Sequence, residues 1–280
     1  MKAAFVLAYV VAGLIRPTSG SKLPGARTYV ACEHLAYGVH IVSSDPLVMY
    51  IRNFLSENER RHLLRARCVP SVREPKRLAH MALAHSEGRF RHSAVADGTR
   101  GTRRTSQSAY VAHDDIVQCI EERALAIQGY DVPSSHLEPL QLVKYAPTEE
   151  YHFHTDWFTD STYTVAATGG NRVASLFAYV HVRNDTTGGG TNFPLLNAPM
   201  DHRWCDIIDC DEPWDRGITF RPIEGNAIYW ENLGLHSRAG NYRTLHAGLP
   251  LTGGGKVGLN IWTRQAPLSD EARGQLVYLG

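Results

Sequence analysis

Apolar and polar positions follow two different rhythms along this chain, and the change falls near residue 140. Before it, residues 47–67 (LVMYIRNFLSENERRHLLRAR) begin as a short apolar strand and turn helical near Ser56, where a capping serine precedes Arg60 and the Leu63/Leu64 pair. Residues 114–128 (DDIVQCIEERALAIQ) place Ile116, Cys119, Ile120, Ala124 and Ile127 on one side of a second helix. Both read as helices laid against a sheet. After the change the apolar runs are short, β-branched and aromatic: LQLVKY (140–145), ASLFAYVHV (174–182), GITFRP (217–222), NAIYWEN (226–232), TLHAGLP (244–250) and KVGLNIWTR (256–264). Gly-rich turns such as TTGGGT and LTGGGK separate them and no helix intervenes, so the pattern predicts a mainly β protein with flanking helices, built on a double-sheet roll or barrel. Residues 73–104, rich in Arg and His, carry no period and read as a surface loop, with a substrate-covering loop as the sharper alternative.

Composition narrows the classes. A chain of 280 residues, 43% hydrophobic and 20% charged, can bury a sizeable core in one large domain or two modest ones. Lys plus Arg (29) nearly equals Asp plus Glu (28), so no bulk field attracts polyanions and no nucleic-acid partner is expected. At the start, Lys2 precedes an apolar run over residues 3–15 that Arg16 and Pro17 end; it is short for a bilayer and suits a signal-peptide core, with a short membrane anchor as the alternative for residues 1–20. The five cysteines are an odd set with no Cys-x-x-Cys pair. Cys205 and Cys210 can close a small loop in an oxidising compartment or remain free thiols. Asn184-Asp185-Thr186 is a glycosylation sequon, meaningful only in a secreted chain.

Candidate chemistry centres on YHFHTDWFTD (151–160). In an extended strand His152, His154 and Asp156 share a face, which suits a metal site and equally a hydrogen-bonded strand edge. A distant strand adds His246, and Lys256 opens the next one across a Gly-rich turn. Two imidazoles and one carboxylate on one face of iron leave three positions open, as in non-haem Fe(II) oxygenases; those positions take a bidentate 2-oxo acid and dioxygen. A cation buried beside them needs an anion, which the remote carboxylate of that acid supplies. His152 competes as the first member of a His-x-His edge, whereas His236, in LGLHSRAGN, reads as solvated.

The ordered segments QLVKYAP, HTD, YVHVRNDTTGGGTNFP, FRPIEGNAIYWEN and RTLHAGLPLTGGGKVGLNIW resemble the catalytic domain of prolyl 4-hydroxylases and their fungal-type relatives, over residues 45–265. The resemblance implies a double-stranded β-helix (jelly-roll) core at 138–265 on a helical support at 45–135. It makes His154, Asp156 and His246 the iron ligands and Lys256 the partner of the distal 2-oxoglutarate carboxylate. Tyr145 matches a tyrosine that helps hold this cosubstrate, Ser175 falls where the family often has a cosubstrate-contacting Thr, and Trp262 matches an aromatic lining the pocket. The implied activity is an Fe(II)- and 2-oxoglutarate-dependent dioxygenase that hydroxylates a C–H bond and releases succinate and carbon dioxide, with ascorbate as reductant. The implied substrate is peptidyl proline, and with a secretory leader the implied compartment is the endoplasmic reticulum. A free amino acid or a small secondary metabolite is the alternative substrate. Two rivals stay open: a nucleic-acid demethylase using the arginines around Arg100 and Arg104, and a jelly-roll binding module with structural histidines and no affinity for 2-oxoglutarate. Oligomeric state is not legible.

Overall fold

The computed structural model describes residues 32–33, 35–65, 68–69, 90–93, 104–129, 132–199, 201–211, 216–234 and 238–269. The leader, most of the 73–104 segment and His236 lie outside the described residues. Along the chain come β1 (Gly38–Ser44), β2 (Leu47–Arg52), α1 (Glu57–Arg65), β3 (Cys68–Val69), β4 (Arg91–His92), β5 (Gln107–Val111) and α2 (Asp115–Ile127). They are followed by β6 (Gln141–Tyr145), β7 (Tyr151–His154), β8 (Arg172–Val182), β9 (Thr187–Gly188), β10 (Thr191–Phe193) and β11 (Ile218–Phe220). Last come β12 (Ala227–Glu231), β13 (His246–Gly248), β14 (Leu251–Gly253) and β15 (Lys256–Arg264).

A nine-stranded sheet runs β1-β2-β12-β8-β15-β6-β5-β3, with β4 also paired to β5, and a four-stranded sheet runs β11-β10-β13-β7. Together they form the jelly-roll core. Strand parity explains why the central strands read as nearly continuous apolar runs: both faces of the large sheet are covered. On one face Met49, Ile51, Leu176, Ala178, Tyr229, Leu259 and Ile261 pack with Leu63 of α1 and Val117, Ile120 and Ala124 of α2. On the other, Tyr50, Phe177, Tyr179, Ile228 and Trp230 pack against Phe193, Ile218 and Phe220 of the small sheet. Along β15 the residues that alternate with Val257, Leu259 and Ile261 therefore face the inter-sheet cavity, and these include Lys256, Asn260 and Trp262. The segment before residue 138 supplies strands β1 to β5 to the large sheet as well as the two helices. The turns TTGGGT and LTGGGK contribute β9 and β14, which pair with each other as a small separate sheet.

Local chemistry sets the helix starts. Ser56 and Glu59 form a reciprocal capping box: the Glu59 amide donates to Ser56 Oγ at 3.1 Å and the Ser56 amide to Glu59 Oε2 at 2.9 Å. The Asp114 carboxylate caps α2 by accepting from the amides of Ile116 and Val117. Arg123 of α2 makes a two-pronged pair with the same Glu59, at 2.7 and 2.9 Å, and donates to the carbonyls of Phe54 and Glu33. Among the described residues two disulfides are present: Cys205–Cys210, one of the two alternatives the sequence left open, and Cys32–Cys119, which ties the N-terminal segment to α2.

Both partners of the Arg123–Glu59 pair are buried, so removing one strands the other. Arg123→Ala is expected to cost about 3–5 kcal/mol in urea denaturation. A loss below about 1 kcal/mol, the scale of an exposed pair, would contradict this account of how α1 and α2 are joined.

Candidate metal and anion site

Three cross-strand pairs assemble the site. Antiparallel β13 and β7 place His246 directly opposite His154. Antiparallel β15 and β6 place Lys256 opposite Tyr145, and β15 and β8 place Trp262 opposite Ser175. Asp156 arrives differently from the sequence expectation. Strand β7 ends at His154, so the turn after it, and not strand alternation, carries Asp156 inward.

Among the described residues, His154, Asp156 and His246 are the group whose ligand atoms lie within 4.8 Å of one another. His154 Nε2 is 3.7 Å from Asp156 Oδ1, and His246 Nε2 is 3.8 Å from Asp156 Oδ2. Each imidazole has its Nδ1 against a backbone carbonyl, that of His152 at 2.7 Å and that of Thr244 at 2.9 Å. With Nδ1 donating, the Nε2 lone pairs are left facing the centre, the tautomer a metal requires. Burial holds the His154 ring well below its ordinary value, helped by the neighbouring His246. Burial alone would raise Asp156, but His246, His154, Arg172 and the Ser175 hydrogen bond outweigh it and bring the carboxyl down to about 2. Two imidazoles with Nε2 turned inward and a carboxylate between them form a donor set that fits a divalent iron.

Lys256 lies in the same pocket, buried to 2% exposure. Its Nζ donates to the Gly189 carbonyl and sits 4.7 Å from the centre of the Tyr145 ring. Gly189 adopts a positive φ of 72°, and a Cβ there would come within 2.4 Å of Leu251, so only glycine places that carbonyl against the lysine. Among the described residues no carboxylate pairs with Lys256, and a buried ammonium without an anion is costly. The pocket thus presents a metal-binding end and a cationic end.

Tyr145 and Trp262 line this pocket. Ser175 departs from expectation. It faces Trp262 at the far end of β15 from Lys256, and its hydroxyl donates to Asp156 Oδ2 at 2.7 Å. The residue that shares the pocket with Lys256 is Thr191, hydrogen-bonded to the Tyr179 hydroxyl at 2.8 Å; its signal was its position closing the TTGGGT turn. His152 points away, half exposed and 3.1 Å from Glu150. Tyr151, in the aromatic 151–160 stretch, stacks on the His154 ring at 3.5 Å between centres, whereas nothing in the sequence singled out Arg172. Arg172 grips Glu138 with two bonds of 2.7 and 2.8 Å and lies 3.8 Å over the Trp262 ring. Arg104 is buried over the Tyr151 ring and donates to Gln141, so this arginine belongs to the wall of the site.

Comparison with known proteins adds four findings. Residues 140–264, which contain His154, Asp156, His246 and Lys256, match the model of the 2OG-Fe(II) oxygenase superfamily. Prolyl 4-hydroxylase 1 of Arabidopsis thaliana is 27% identical over 233 residues, covering 82% of this chain and 72% of that protein. From the same plant, "Probable prolyl 4-hydroxylase 4" is 30% identical over 233 residues, covering 79% and 68%. The crystal structure of a viral collagen prolyl hydroxylase from Paramecium Bursaria Chlorella virus-1, in its 2OG complex, aligns with a TM-score of 0.50 at 19% identity. That alignment covers 84% of this chain and 99% of the viral one, and it speaks to the fold alone.

Burial pushes the Lys256 ammonium from 10.5 down to about 7. Between those values the folded, ligand-free protein holds fewer protons at this position than the unfolded chain, so stability rises with pH across that window and levels off above it. Urea denaturation at neutral pH and again two units higher is expected to show stability rising by about 1 kcal/mol per pH unit from this group. Lys256→Met should flatten the rise; an identical profile in wild type and variant would contradict the buried, unpaired ammonium.

Proposed function

Because the chain belongs to the prolyl 4-hydroxylase family within the 2OG-Fe(II) oxygenase superfamily, we propose that it hydroxylates peptidyl proline to 4-hydroxyproline. Dioxygen and 2-oxoglutarate are the co-reactants, and succinate and carbon dioxide the co-products. The observation that carries this reading is the pairing, in one pocket, of a two-histidine, one-carboxylate donor set with a buried lysine that lacks a carboxylate partner among the described residues.

In this reading His154, Asp156 and His246 hold the metal. Fe(II) bound there supplies the activation of dioxygen that no protein side chain provides. Lys256 receives the distal carboxylate of 2-oxoglutarate: its ammonium becomes paired, and the anion is oriented with its 2-oxo acid end toward the donor set. Tyr145 and Thr191 flank that carboxylate position, while Phe177, Trp230 and Trp262 wall the pocket and keep water from the reacting centre. The tie from each Nδ1 to a backbone carbonyl keeps the imidazoles from turning as the substrates enter. Ascorbate is the reductant we assign for keeping the metal ferrous. We place the work in the endoplasmic reticulum or secretory pathway, a reading supported by the two disulfides, which persist in oxidising compartments.

The test is 2-oxoglutarate consumption and succinate release by Fe(II)-loaded protein exposed to oxygen, with and without proline-rich peptides. Peptide-stimulated turnover, with one oxygen atom added at proline by mass spectrometry, is expected. Turnover indifferent to peptide would refute the substrate class, and no turnover in folded protein would refute the chemistry. His154→Ala or His246→Ala should abolish turnover. Lys256→Ala should raise the 2-oxoglutarate concentration required by about tenfold or more with metal affinity retained; an unchanged requirement would remove Lys256 from the cosubstrate site.

A further inference from the structure

We infer that Ser175, Asn232 and Trp262 form a positioning relay that ties down Oδ2 of Asp156 and leaves Oδ1 as the oxygen offered to the metal. The inference rests on reading His154, Asp156 and His246 as a metal site. Two donors converge on the same atom: Ser175 Oγ at 2.7 Å and the Trp262 indole Nε1 at 3.0 Å, both to Asp156 Oδ2. Behind the serine, Asn232 Nδ2 donates to Ser175 Oγ at 2.8 Å. All three side chains are buried. Among the described residues Oδ1 takes no hydrogen bond of comparable length; its near neighbours are His154 Nε2 at 3.7 Å and Arg172 at 3.9 Å.

The direction of the relay follows from proton counting. An ionised carboxylate only accepts, so the single hydroxyl proton of Ser175 must go to Asp156. The serine oxygen is then free only to accept, and Asn232 must turn its NH2 toward it. The Asn232 Oδ1 is consequently directed away, and among the described residues it is buried with no hydrogen-bond partner. A buried carbonyl left unpaired is costly, and here the cost is borne in the orientation that sends the serine proton to Asp156. The backbone holds each member in place. Ser175 and Trp262 are opposed in the β8–β15 ladder, and the Asn232 amide donates to the Val173 carbonyl at 2.9 Å. Arg172, anchored by Glu138, presses on the face of the Trp262 ring and fixes the direction of its N–H.

The consequence concerns coordination number. A carboxylate free to rotate can close on a metal with both oxygens and occupy two positions. One whose Oδ2 is engaged by two donors presents a single oxygen and keeps a position open for the co-reactants.

The experiment is anaerobic titration of the full-length protein with Co(II), read by affinity and by the visible ligand-field spectrum. It compares wild type with Ser175→Ala, Ser175→Thr, Asn232→Leu and Trp262→Phe. Ser175→Ala is expected to weaken Co(II) binding by about 10–100-fold and to change the spectrum. Asn232→Leu and Trp262→Phe should move both in the same direction, and Ser175→Thr, which restores the hydroxyl, should retain both. Wild-type affinity and spectrum in Ser175→Ala and Asn232→Leu would overturn the relay. So would a Ser175→Ala protein whose only loss is in 2-oxoglutarate affinity at saturating Co(II), because that returns Ser175 to a cosubstrate contact. A wild-type protein that binds no Co(II) overturns the metal-site reading and the relay with it, whereas wild-type binding with indifferent variants overturns the relay alone.

Discussion

Strand β15 is hydrogen-bonded on both edges, to β8 and to β6, and its register decides which side chains enter the cavity. A slip of one residue would turn Lys256 and Trp262 into the helix-facing core and bring Val257 and Ile261 into the pocket. The slip is opposed by burial on both faces, since Leu259 and Ile261 pack with the helices while Lys256 and Trp262 are held from the cavity side. The same ladders set the distance between the two ends of the site. Trp262 and Ser175 stand beside Asp156 at one end of β15, and Lys256 stands beside Tyr145 at the other.

On that frame the site is an electrostatic arrangement that is incomplete in the protein alone. At one end a buried carboxylate is kept ionised by its neighbours and faces two imidazoles whose Nε2 atoms point inward. At the other end, among the described residues, a buried ammonium has a backbone carbonyl and an aromatic face to offset its desolvation and no carboxylate. A cation completes the first end and an anion the second. A 2-oxo diacid bridges them, because its 2-oxo acid end ligates a metal and its remote carboxylate pairs with the lysine. This complementarity is why family membership and physical reading converge on the same cosubstrate.

Much of this was legible in the sequence, for physical reasons that differ by element. The strands at 141–145, 172–182, 227–231 and 256–264 announced themselves because they are buried on both faces and so carry long apolar runs. Helix α2 was legible from Asp114 and its apolar side. Strands β9, β10 and β14 were not, since two or three residues inside Gly-rich turns carry no period. The Cys32–Cys119 bridge spans a sequence separation of 87 and has no local signature. At the site, the order of motifs brought His154, Asp156, His246 and Lys256 forward together. The neighbours of those residues depend on register between strands distant in sequence, and for that reason the partner of Ser175 and the clamp of Arg172 on Trp262 emerged only in three dimensions.

The central claim is that metal and 2-oxoglutarate occupy two ends of one pocket. It is tested most directly by calorimetric titration of 2-oxoglutarate, under anaerobic conditions, into the protein with and without Fe(II). The account predicts binding that is strongly enhanced by the metal, with His246→Ala abolishing the enhancement and Lys256→Ala weakening binding whether metal is present or not. Binding of equal affinity with and without metal, or unaffected by loss of Lys256, would contradict it.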